Sequence, residues 1–538
     1  MQQILNMNQR FSLLIVFLFL ALVFSDCAKR GRPTGGPKDE DAPIQIKADP
    51  PHNTTNFKED EIKIYFDEYI KLKDLYTQLI VSPPLKNQPL ITPLGTPSKY
   101  ISIKILDTLK ENTTYTFNFG QSVVDNNEGN ILNNFKYVLS TGSIIDSLKV
   151  TGIIEDAFQK DVDKNVTVML YESNDAYSDS IIYKEKPIYV ANTLDSIAWE
   201  ITNIKAGKYM LLALNDKSKN YIYNPKEDKI GFIKKNITVP TDTSYTIKLF
   251  NEVLPFKITR PSEISKGFIQ FGYQGNADSL KIEPLAVVDD FKSFSNFEKD
   301  KDTLNYYFKG NSKDSIQFKV SNIDFKDTLI VKLRSKTIDS LKINSSISGT
   351  LHFKDSLELL SNIPVISIDT TKVNFIDGDS TLVNYTTKIS KDRTAIHFDF
   401  DKIYEKKYAI EVLPGAITNF YGHVNDTLKY VFGTKKEIDY GKLYLTLQDV
   451  KSYPIIVQLI TEKETLVEEI YATEEQQYDF IHLVPGKYML RIIYDDNKNR
   501  KWDTGSFLLK QQPEKVIYIY TVLDIKANWE ITETFIMR

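Results

Sequence analysis

The sequence predicts an all-β protein built of tandem β-sandwich domains. Three observations carry that prediction. Tyr and Phe are abundant, with 31 and 30 copies, and they recur with Ile, Val and Thr, a composition that favours strands. Short segments alternate apolar and polar residues and are punctuated by Asn, Asp and Gly turns. Beyond residue 30 no segment sustains a helical period of apolar residues. At 538 residues the chain exceeds what one hydrophobic core serves, and roughly four or five domains are expected. The net charge of −4 leaves no basic footprint for nucleic acid.

The first element is an address. Residues 11–24, FSLLIVFLFLALVF, form an unbroken apolar run behind Arg10. The run is shorter than the ~20 residues of a transmembrane helix and reads as the core of a secretory signal. The chain's one cysteine, Cys27, stands at its end and is followed by a Gly-, Pro- and charge-rich tether through residue 42. A single cysteine makes neither an internal disulfide nor a Cys-based metal site.

This junction resembles a bacterial lipoprotein signal, in which the cysteine becomes the first mature residue and carries acyl chains. The resemblance implies a signal peptide over 1–26 and a lipidated Cys27, each buried CH₂ contributing about 0.8 kcal/mol to anchoring. The small residue that the pattern places before the cysteine is here Asp26. AKRGRP follows the cysteine, and the acidic KDED comes only at 38–41. Exported surface lipoproteins of the resembled group often carry acidic residues close behind the cysteine, so the resemblance implies an outer-membrane lipoprotein that faces the periplasm rather than the cell surface.

The second element is a duplication. NTTYTFNFGQSVVDNNEGNILNNFKYVLSTG at 112–142 aligns without gaps to 406–434: Tyr115 with Tyr408, Gly129 with Gly422, Tyr137 with Tyr430, an offset of 293 (408 − 115). A second pair follows. Gly207 aligns with Gly486, Asp216 with Asp495 and Asn220 with Asn499, an offset of 279 (486 − 207). The order is module A, module B, an intervening piece, then A and B again. The expected boundaries are 43–142 (first A), 143–251 (first B), 252–345 (a β-domain of unassigned type), 346–435 (second A) and 436–538 (second B).

Module A opens with EIKIYFDEYIKL. Ile62, Ile64 and Phe66 alternate with Lys63, Tyr65 and Asp67, the pattern of a half-buried strand. DNNEGN supplies a turn in which Gly129 adopts positive φ. These segments, with APIQIKADPPHNTTNF and the closing FKYVLSTG, resemble the bacterial Ig-like domain of the S-layer-protein type, common in surface proteins and lipoproteins of Bacteroidota. That family is a structural module and carries no catalytic residues across. Module B runs from LKVTGIIEDAF through NVTVMLYES to IKAGKYMLLALND. It is similar to prealbumin-like and carboxypeptidase-regulatory-like sandwiches, whose Gly-x-Tyr turn fits Gly207 with Tyr209 and Gly486 with Tyr488.

Chemistry-bearing patterns are sparse. The five histidines, His52, His352, His397, His423 and His482, are spread over different modules. No nucleophile elbow, zinc-protease pair or phosphate loop is present, and the expectation is a non-enzyme without a cofactor. The adjacent Asp67 and Glu68 are read as the place where a strand leaves the sandwich. The best metal candidate is a calcium loop. Asp495, Asn497, Asn499 and Asp503 supply hard oxygens at positions 1, 3, 5 and 9, but Arg500 replaces the glycine at position 6 and Ser506 the glutamate at 12. It is matched in the first B module by Asp216, Ser218, Asn220 and Asn224, with Glu227 at position 12 and Tyr221 at 6. An Asx-rich hairpin turn accounts for the same residues.

Asp followed by Ser or Thr and Leu recurs at Asp107, Asp146, Asp278, Asp302, Asp327, Asp339, Asp355 and Asp426. It resembles the O-glycosylation sequon of Bacteroidota, and a turn leading into a strand explains it equally. The function expected is a lipid-anchored, non-catalytic scaffold of the cell envelope, with the membrane and an envelope protein or glycan as partners. The alternative is a surface adhesin or glycan-binding lipoprotein, for which Trp502, Trp529 and Tyr221 are the candidate aromatic platform.

Overall fold

The computed structural model describes residues 38–175, 177–285, 288–310 and 314–537. Cys27, the expected signal peptide over 1–26 and most of the expected tether lie outside these residues. The described residues divide into two compact units, one comprising 38–79 with 85–144, the other 80–84 with the described residues from 145 on. The described residues are almost wholly β, with one four-residue helix, Leu75–Gln78, and three short 3₁₀ turns.

The first unit is built on strand Glu61–Leu72, which pairs with Gln45–Asp49 on one side and Ser98–Lys104 on the other. Ile62, Ile64 and Phe66 are buried as their alternation requires. Asp67 and Glu68 do not end this strand. They sit inside it, at a bulge between Tyr65 and Ile70. There the extra residues turn the carboxylates outward, and Asp67 accepts the Ile44 N–H at 2.9 Å. Thr114–Asn118 and Lys136–Ser140 pair on the facing layer.

Within the second unit the two B modules share one topology. In the first, Leu148–Asp156 lies between antiparallel Ala198–Ile204 and parallel Ser244–Leu249. In the second, Gly441–Gln448 lies between antiparallel Gln477–Leu483 and parallel Glu530–Ile536. The opposing sheets centre on Gly207–Asn215 and Gly486–Tyr494. Each module closes over its own apolar core.

The intervening piece is a sandwich of two sheets. One contains Phe268–Gln274 and Thr303–Lys309, the other Ser315–Asn322 and Phe325–Lys332. They pack through Phe271, Tyr306 and Phe318. The second A module has two four-stranded sheets. Its strand Ile343–Ser345 pairs with Leu357–Ser361, so this sandwich takes in residues upstream of 346.

Candidate functional site

The duplication is written in hydrogen bonds as well as in residues. In the first A module the Tyr115 hydroxyl accepts the Lys110 N–H at 2.9 Å, and in the second Tyr408 accepts the Ile403 N–H at 3.0 Å. Thr141 donates to the Lys110 carbonyl and accepts from Thr113, as Thr434 does with Ile403 and Lys406. Tyr137 donates to the Pro50 carbonyl, and Tyr430 to that of Ile343. Every one of these pairs keeps the offset of 293.

The B modules repeat a turn built on two carboxylates. Asp216 accepts the Tyr221 N–H at 2.7 Å, and Asp495 accepts the Arg500 N–H at 2.9 Å. The second carboxylate bridges two amides from opposite ends of the loop. Asp228 takes those of Lys217 and Asn224, and Glu514 takes those of Asp496 and Asp503. Tyr221 and Arg500 share a left-handed backbone, with φ of 63° and 65°. Burial pushes the carboxyls of Asp228 and Glu514 above their usual range, against the pull of the amides they accept. Sequence alignment found Asp216 and Asp495 but not this second carboxylate, because Asp228 and Glu514 lie at different distances along the chain.

The calcium-loop candidates do come together in the second of these turns. Both oxygens of the fully buried Asp495 already accept backbone amides, from Asn499 and Arg500. The side-chain amides of Asn497 and Asn499 donate to Asp503. Thus the four residues bond to one another and to the turn's own backbone. Among the described residues no group of three or more His, Cys, Asp or Glu is arranged to hold a metal ion.

Two of the dispersed histidines meet where the second A and B modules join. The Tyr404 hydroxyl and His482 Nε2 are 2.7 Å apart, and His352 Nδ1 lies 3.3 Å from the Tyr440 hydroxyl. Phe353 stacks on Tyr404 with centroids 3.9 Å apart, and His482 lies 5.2 Å from the same Phe353 ring. Burial lowers the His482 pKa, and Lys354, Lys442 and Lys402 add to the effect while Glu437 opposes it.

The aromatic candidates separate. Tyr221 and Trp502 pack against one apolar cluster, and the Trp502 Nε1–H donates to the Glu514 carbonyl. Trp529 is 52% exposed, beside Lys526. The first A module carries an aromatic pair that the sequence reading did not single out. Tyr65 and Tyr100 face each other across neighbouring strands, with ring centroids 5.7 Å apart. Lys47 Nζ sits 4.8 Å over Tyr65. The signal was the polar face of EIKIYFDEYIKL, where Tyr65 alternates outward. Of the eight Asp-Ser/Thr-Leu hydroxyls, seven are on exposed residues, and that of Thr303 is half-buried.

Residues 39–141 match a family model described as a bacterial Ig-like domain. That is the first A module. Among curated proteins none matches the chain. Solved structures similar to it include the Bacillus anthracis TIE protein, at 14% identity over 94% of this chain and 76% of that one, with a TM-score of 0.14. The S-layer protein SbsC is 10% identical over 90% of this chain and 67% of its own, also at 0.14. The Bacteroides ovatus SGBP-B of a mixed-linkage glucan utilization locus, in complex with a mixed-linkage heptasaccharide, is 12% identical over 71% and 92%, at 0.17. At these TM-scores none of the three bears on what this chain binds. No helix among the described residues is long and apolar enough to cross a membrane.

Proposed function

We propose that this chain is a lipid-anchored, non-catalytic scaffold of the bacterial cell envelope, held in the outer membrane through Cys27 and facing the periplasm. The observation that carries the reading is how the buried carboxylates are used. Asp125, Asp216, Asp228, Asp495 and Glu514 all close turns by accepting backbone amides. Buried carboxylates used this way hold β-sandwiches in shape rather than perform acid–base work. The Ig-like match at 39–141 supports a structural module, and the position of Cys27 behind an apolar run supports the anchor.

The test is a Cys27→Ala chain followed by membrane flotation. Wild type is expected to float and the variant to stay soluble or unprocessed. A variant that floats as a lipid-modified protein overturns the anchor. A second reading, a surface adhesin or glycan-binding lipoprotein, is favoured by the Tyr65–Tyr100 pair, of which Tyr65 is half-buried and Tyr100 exposed, because outward tyrosine rings suit sugar stacking. Protease shaving of intact beside lysed cells separates the two. Protection until lysis supports the periplasmic scaffold, and digestion on intact cells supports the surface reading.

A further inference from the structure

The two B modules are separated by the whole of residues 252–435, yet each lays a loop on the outer sheet face of the other. On the first B module that face is apolar, with Met169, Tyr171, Met210 and Leu212 buried beside Phe232 and Phe250. The second module covers it with the loop around Phe507. That ring is fully buried, 5.3 Å from Phe232 and nearly perpendicular to it.

The approach is close because residue 505 is glycine. A Cβ there would lie 2.7 Å from the Phe250 ring and from the Gln511 carbonyl. The rim is polar. Thr504 donates to the Asn251 carbonyl, the Phe507 N–H to Glu252, Lys510 to Asp179 and Gln512 to the Phe232 carbonyl.

The return contact has different chemistry. The second module's outer face carries Arg491, only 5% exposed, which donates to Gln458. The first module places Phe158 over that guanidinium at 4.1 Å. Tyr518 donates to the Phe158 carbonyl, and the Lys160 N–H to Glu464. The paired strand positions Met169–Leu212 of the first module correspond to Gln458–Arg491 of the second. So the duplicates differ at equivalent positions of their outer faces, apolar in the first and polar in the second. One face takes an aromatic plug, and the other presents a cation to an aromatic ring.

We infer that the two B modules form one cooperative body, in which the loop 502–512 is a strap that completes the first module and closes residues 252–435 into a loop with its ends held together. Neither outer face is a finished surface alone. Without Phe507 the first module exposes a contiguous apolar patch, and without Phe158 the second leaves Arg491 with only the more distant Tyr518 ring, at 6.0 Å.

Hydrogen exchange on the full mature chain tests this. Phe507→Ala, a change in the second B module, is expected to speed exchange roughly tenfold or more on Gly207–Asn215 and Lys229–Phe232 of the first, with the first A module unchanged. Phe158→Ala, a change in the first B module outside its own apolar core clusters, is expected to speed exchange on Ile455–Thr461 and Gly486–Tyr494 of the second. Exchange changes confined to the mutated module in both variants overturn the inference. If Phe507→Ala fails to fold, Phe158→Ala alone decides.

Discussion

At the scale of single residues, the turns rest on carboxylates that accept several amides at once. Asp125 is the clearest case. It is 1% exposed and accepts the N–H groups of Asn127, Glu128, Gly129 and Asn130. Burial by itself pushes its pKa up, but these four amides outweigh that and hold it below the usual carboxylate range. A folded-state pKa below the unfolded one gives stability that is present above the unfolded value, near 3.9, and is lost as pH falls through the lowered one. Asp125→Ala leaves four amides without that acceptor and is expected to cost about 1–3 kcal/mol. Denaturant melts at pH 7 and pH 3 check it, since the gap between variant and wild type should narrow at the lower pH. The motif DNNEGN announced a turn in the sequence and Gly129 takes the left-handed backbone foreseen, φ +81°. The fourfold acceptor was not legible, because it depends on how tightly the turn coils around Asp125.

At the scale of elements, alternation and turn chemistry were enough to place strands, and they failed where a strand bulges. Asp67 and Glu68 read as the place where a strand leaves the sandwich, and Glu68 does fall where the alternation of Ile62, Ile64 and Phe66 calls for an apolar residue. A bulge breaks the alternation too, without ending the strand. The joint between the second A and B modules is another element-level feature hidden from the sequence. His352 and His482 are 130 residues apart, counted as 482 − 352, and only the docking of two sandwiches brings them to one aromatic box. Because the His482 pKa is lowered in the folded chain, the unfolded chain binds its proton first. Stability from this site is therefore present above about pH 6.5, the unfolded value, and declines as pH falls from there through the lowered folded value. His482→Gln is expected to flatten the pH dependence of the melting temperature below about pH 6.5. A variant that keeps the wild-type slope would assign the slope to other groups.

At the scale of the whole molecule, the chain combines repetition with divergence. The two offsets, 293 and 279, were readable because turn glycines, tyrosines and Asx residues are held in place by backbone geometry that few other residues satisfy. The same tyrosine, threonine and carboxylate bonds recur in each copy for that reason. Duplication by itself suggests extension rather than a built pocket. Within the second unit the B modules instead pack on each other, and the strap experiment above is the prediction that belongs to this scale. The sequence by itself determined the all-β class, the repeat, the tyrosines and turns of each module, and the expectation of an anchor at Cys27, since strand alternation and turn chemistry are local properties read within a few residues. Only the tertiary structure decided that Phe507 is a core residue of another module, that Tyr221 and Trp502 serve packing, and that Tyr65 and Tyr100 pair across neighbouring strands. These depend on contacts between segments far apart in the chain, and no local period encodes which sheet face another module will cover.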